Sequence, residues 1–133
     1  MKKFIATFVA ISLFLILTAA SCSSSGNGSG AGGGDTGTSV HMGETTFTQS
    51  SVTISKGSSL NLINDVPVVH IISNGSWTDN VAKPAIEPDA PTVNNLQFNS
   101  AGQSMTVGPF NTAGTYHLYC SVHLNMNLTV IVQ

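Results

Sequence analysis

Between Val40 and Gln133 no stretch sustains a 3.6-residue apolar period; short β-rich segments alternate with turn signals instead. Thr45–Phe47 and Val52–Ile54 lead into the turn Lys56-Gly57-Ser58. Leu60–Ile63 stops at Asn64-Asp65, and Val66–Ile72 runs to Asn74-Gly75. Ser104–Val107, Gly114–Cys120 and Leu128–Val132 read as three further strands. The intervening stretch 76–95 holds Pro84, Pro88 and Pro91, whose missing N–H groups make it a poor helix and a poor strand. Many short strands in so short a span predict an all-β Greek-key β-sandwich.

Charge narrows the function. The 133 residues contain four Lys or Arg, all of them Lys, against six acids, a formal net charge of -2. That length allows one domain. It cannot supply the clustered cations that neutralise phosphates, so nucleic-acid binding is excluded. Ser, Thr, Asn and Gly take the place of charge, which suits strands and turns.

The N-terminus is organised differently. Met1-Lys2-Lys3 precedes an uncharged apolar run, Phe4 to Ala20, and then small residues, the layout of a secretory signal peptide over residues 1–21. Ala19-Ala20-Ser21-Cys22 resembles the lipobox of bacterial lipoproteins, with Ala19 where Leu is usual. The resemblance implies lipidation of Cys22 and a domain anchored to the outer face of a cell membrane. Cleavage near Ala20 without acylation would give a periplasmic or secreted protein. Residues 22–39 are a Ser/Gly-rich linker, and its polar part spans roughly 20–25 Å. The globular domain is 40–133.

Chemistry concentrates near the C-terminus. Cys120, His123 and Met126 place a thiolate donor, an imidazole and a thioether in one loop between two strands. A second imidazole must come from elsewhere, and His70, ending the apolar segment Val66-Pro67-Val68-Val69, is the best placed. One Cys, two His and a distant Met are the ligand set of a blue-copper site, a compromise that both Cu(I) and Cu(II) accept. Cys120, His70 and Met126 also have bland readings as buried core residues. His117 alternates away from Cys120 and reads as a surface residue.

Together with the Cys-x2-His-x2-Met motif, His70 and Gly114-Thr115-Tyr116-His117-Leu118-Tyr119-Cys120 resemble the cupredoxins of the plastocyanin/amicyanin type. The resemblance covers Met42 to Gln133, including Phe47, the Lys56-Gly57 turn and Gly108-Pro109-Phe110. It implies a cupredoxin sandwich and one type 1 copper on His70, Cys120, His123 and Met126. It also implies a monomeric, non-enzymatic one-electron carrier serving a redox donor and acceptor. The electron-transfer surface would be His123 with Phe110 and Leu124, and Trp77 and Pro109 nearby. A second exit would pass through Tyr119.

Two positions depart from the family pattern. Ile71 stands where an Asn ordinarily ties the two ligand loops together. Val122 stands where short-loop members often have Pro; its retained N–H is expected to point at the Cys120 sulfur and favour Cu(I).

Other functions fit less well. A copper storage or delivery module would expose Met-rich or His-rich tracts, whereas the four Met and four His are scattered. A Cys120–His123 nucleophile lacks an evident orienting third residue. A two-copper centre needs a second Cys in the loop, and structural zinc needs more Cys or His.

Overall fold

In the computed structural model, which describes residues 37–133, the chain forms nine β-strands, with no helix among the described residues. They are β1 (Thr38–Met42), β2 (Ser51–Ile54), β3 (Leu60–Asn64), β4 (His70–Thr78) and β5 (Val81–Pro84). Next come β6 (Leu96–Phe98), β7 (Ser104–Val107), β8 (Gly114–Cys120) and β9 (Asn127–Val132). One sheet has the order β1-β3-β7; the other runs β2-β9-β8-β4-β5, with β6 also on β4. This is an all-β sandwich of two sheets. Its parallel pairs, β1 with β3 and β2 with β9, arise because the chain crosses between sheets as it goes.

Period-2 alternation builds the core. Leu60 and Leu62 of β3, Val52 and Ile54 of β2, Tyr116, Leu118 and Cys120 of β8, and Leu128, Val130 and Val132 of β9 are all buried. Phe98 and Ile72 close the same core from β6 and β4. An apolar side chain buried in this way contributes about 1.5–3 kcal/mol.

The strand boundaries differ from the sequence expectation in several places. Thr38 and Ser39, read as linker, already belong to β1, because parallel pairing with Leu60 and Asn61 recruits them. Thr45–Phe47 is not a strand, only a bridge from Phe47 to Met42. Val66–Val68 lies in bends, and β4 starts at His70 and passes straight through Asn74-Gly75. Its real turn is Asp79-Asn80, where φ values of 52° and 61° form the two-residue hairpin loop into β5. Part of the proline-rich stretch is therefore a strand, at a sheet edge where Pro84 needs no ladder donor. Gly75 keeps a strand role because it is glycine. At φ 126° its backbone packs against β5, and an added Cβ would strike Lys83 O and, at 2.8 Å, Pro84 Cα.

The signal segment 1–21 and Cys22 lie outside the described residues, as does the linker up to residue 36.

Candidate metal centre

Three separate parts of the chain deliver donor atoms to one end of the sandwich. On β8, alternation turns Cys120 inward with Tyr116 and Leu118. On β4, the register sets Ile72 opposite Cys120, and His70, two residues earlier, shares the inward face with Ile72. The segment leading to His70 is ordered by buried Asn64. Its Nδ2 donates to the carbonyls of Val68 (2.9 Å) and Ser100 (3.2 Å), and its Oδ1 accepts from the Val66 amide (3.4 Å).

The third donor comes from the loop after Cys120. The Cys120 amide donates to the Met126 carbonyl at 3.0 Å, and the Met126 amide to the His123 carbonyl at 3.3 Å. Asn125, at φ 60°, takes the left-handed conformation that closes this turn and that Asn tolerates better than most residues. The result brings His123 back over Cys120 and sends Met126, fully buried, into the core beside β9.

Cys120 Sγ lies 3.4 Å from Nδ1 of His123 and 3.8 Å from Nδ1 of His70. The three donor atoms all fall within 4.8 Å of one another, and the two imidazole rings are tilted at 56° with centroids 4.8 Å apart. Burial pushes the His70 pKa below 6.5; the neighbouring His123 acts in the same direction, and the Gly43 backbone offsets part of the shift. His70 Nε2 is buried without a hydrogen bond. The lowered pKa favours the neutral imidazole, the form whose lone pair could bind a metal.

The donor set fits copper. One soft cysteine sulfur and two imidazole nitrogens converge, two of the three residues buried, with the buried Met126 thioether at the end of the same loop. Among the described residues Cys120 is the free cysteine and has no disulfide partner. Residues 35–133 match the family model described as copper binding proteins, plastocyanin/azurin family. The chain belongs to this family. A plastocyanin of Ulva prolifera is 29% identical over 93 residues, covering 68% of this chain and 90% of the relative. Amicyanin from Paracoccus versutus has a similar fold, with a TM-score of 0.55, 20% identity, and 74% and 82% of the two chains covered. An oxidised amicyanin variant gives a TM-score of 0.54 at 17% identity, over 74% and 84%. The cofactor of this cupredoxin is a single type 1 copper.

The remaining sequence expectations divide. Val122 (50% exposed) and Leu124 (59%) flank His123 in the chain, and Val69 (43%) precedes His70, so each histidine has an exposed apolar neighbour in sequence. Phe110 does not join them. It is buried against Tyr116 at the opposite end of β8, and its backbone bonds to Gly57 and Ser58. Tyr119 is also buried, not a surface residue. Trp77 packs edge-on against its ring (centroids 6.2 Å apart), and the segment 84–95 lies alongside. That segment is pinned by buried Asn74, whose Oδ1 accepts from the Val93 amide (2.6 Å) and whose Nδ2 donates to the Pro91 carbonyl (3.2 Å). In the sequence Asn74-Gly75 has the form of a turn, and nothing local marks Asn74 as a polar amide buried on a strand. His117 lies on the outer face, as its alternation implies, 2.7 Å from Glu87.

The two departures resolve unequally. With Ile71 in place of Asn, the ligand loops are joined by main chain: the Ser121 amide donates to the Ile71 carbonyl at 2.9 Å. The expected Val122 N–H bond to Cys120 Sγ is not formed; the hydrogen-bond partners of the sulfur are the two imidazoles. The tight turn back from Cys120 to His123 puts a ring nitrogen, not the amide, against it.

Proposed function

We propose that this cupredoxin is a one-electron carrier in which His70, Cys120 and His123 bind copper and Met126 is a weak axial ligand. The convergence of three donor atoms within 4.8 Å is the observation that carries this reading. Copper held there supplies a Cu(I)/Cu(II) couple. The chain's own contribution is a ligand set that moves little. His70 and Cys120 sit on paired strands, and His123 is fixed by the hydrogen-bonded turn to Met126. A site so braced reorganises little when an electron arrives or leaves, which favours outer-sphere transfer over substrate binding.

His123 is half-buried, and the electron leaves through it. Val69, Val122 and Leu124 form an uncharged docking patch around it that excludes water on contact with a redox donor or acceptor. Tyr119 serves as an interior neighbour of Cys120. The protein works outside the cytoplasm as a monomer, tethered by lipid on Cys22 through the Ser/Gly-rich linker that precedes β1.

Absorption and redox titration of the copper-loaded protein test the function. A blue Cu(II) form that bleaches reversibly on one-electron reduction is expected. A colourless adduct, or copper that leaves on reduction, would favour storage or delivery. Mass spectrometry of the mature N-terminus for acyl chains on Cys22 tests the tether.

A further inference from the structure

We propose that Trp77 is a positioning residue of the metal centre, clamping the peptide that follows Cys120 whether or not metal is bound. Its functional meaning rests on the copper reading; its structural content rests on hydrogen bonds alone.

The pairing of β8 with β9 leaves an opening for it. Cys120 donates its amide to the Met126 carbonyl, so antiparallel geometry would have the Met126 amide return a bond to the Cys120 carbonyl. That amide is turned to His123 instead. The Cys120 carbonyl accepts from Nε1–H of Trp77, at 2.8 Å. At the other end of the same peptide unit, the Ser121 N–H donates to the Ile71 carbonyl at 2.9 Å. Both polar groups of the Cys120–Ser121 peptide are therefore held by β4, one by a side chain and one by backbone.

Trp77 is itself fixed. Its amide donates to Asn127 Oδ1 at 2.7 Å, and Asn127 Nδ2 donates back to its carbonyl at 3.1 Å. Further out, Asn125 Nδ2 donates to Asn80 Oδ1 at 2.8 Å, a second tie between the ligand loop and the β4–β5 hairpin. Ser121 and Val122 are exposed and have few packing partners of their own. Without the clamp, the first peptide of the loop is held only through the Ser121 N–H, and the direction of the Cys120 side chain loosens with it. Simple core packing would use the area of the indole ring and not its N–H. The donor aimed at a carbonyl left open by the strand ladder marks the positioning role.

The test compares wild type with Trp77→Phe in the full chain, which keeps an aromatic ring and removes the donor. In the copper-free protein, amide hydrogen exchange at Ser121 is expected to rise roughly fivefold, the worth of one net hydrogen bond, while β9 amides keep their protection. In the copper-loaded protein, release to a chelator accelerates by a similar factor and the visible spectrum shifts. Unchanged exchange at Ser121 overturns the proposal. Should Trp77→Phe fail to fold, the wild-type indole N–H decides: slow exchange supports the clamp, and exchange at the rate of free indole overturns it. If wild type binds no copper, the copper reading fails while the exchange experiment still decides the clamp.

Discussion

The Ser121 amide donates to the Ile71 carbonyl at 2.9 Å, a main-chain tie between the strand carrying His70 and the loop that runs from Cys120 to His123. A main-chain tie is indifferent to the side chain at either position. The Ser121 hydroxyl adds only a long contact to the same carbonyl, 3.4 Å. Ser121→Ala should therefore change stability by no more than about 0.5 kcal/mol. Ser121→Pro removes the donor itself, and should cost about 1–3 kcal/mol and weaken copper binding. Denaturant midpoints and competitive copper titrations of the two variants check this contrast.

Met126 is completely buried and opens onto β9, so its replacement tests packing and ligation together. Met126→Leu conserves volume and should cost less than about 1.5 kcal/mol in the copper-free protein. The copper-loaded variant should stay blue with a raised reduction potential, because loss of a thioether donor disfavours Cu(II). Loss of copper altogether would assign Met126 a structural part in the site. Voltammetry and absorption spectra measure both.

Leu124 stands exposed beside His123 in a chain with excess acid. Leu124→Glu places like charges face to face when two molecules meet patch to patch. Electron self-exchange, followed by NMR line broadening, should slow by about tenfold at low salt and recover partly as salt screens the charges. The reduction potential should hardly move. An unchanged self-exchange rate would place the docking surface elsewhere.

The copper-free protein should lose stability in acid through His70. Burial, helped by His123, holds its folded pKa below the unfolded value of 6.5. Below that value the unfolded chain binds the proton more readily than the folded one, so stability rises with pH across the window between the two pKa values. The contribution is fully present above 6.5 and is lost as pH falls toward the lowered folded pKa. Urea unfolding at about pH 7.5 and about pH 5 measures it, and His70→Gln should flatten this part of the slope.

Gly75 couples the fold to the site. Any Cβ there meets the β5 backbone, and its φ of 126° excludes ordinary side chains. Gly75→Ala should destabilise the protein by about 2 kcal/mol or more by prising β5 from β4. Since the same hairpin carries Trp77, the variant should also release copper faster than its loss of global stability accounts for.

Cys120, His123 and Met126 were legible as a unit because a tight loop between two strands keeps close in space what is close in the chain. The sandwich was legible for a related reason: alternation and turn residues act over a few positions. Partnerships between distant strands were not. Thr38 and Ser39 look like linker until β3 pairs with them, and Asn74-Gly75 looks like a turn until β5 covers Gly75. Phe110 follows a turn in the sequence, yet nothing local says at which end of a sandwich a turn lies; tertiary packing put it far from Cys120. Tyr119 neighbours the ligand along the chain, but Trp77 and the segment 84–95 decide that it is buried. By itself the sequence determined the donor types, their spacing in the last loop and the β architecture. Tertiary structure decided how His70 is brought to Cys120, and it alone decided that Trp77 and Ile71 hold the peptide after it. Those contacts join residues dozens of positions apart, and only strand register brings them together.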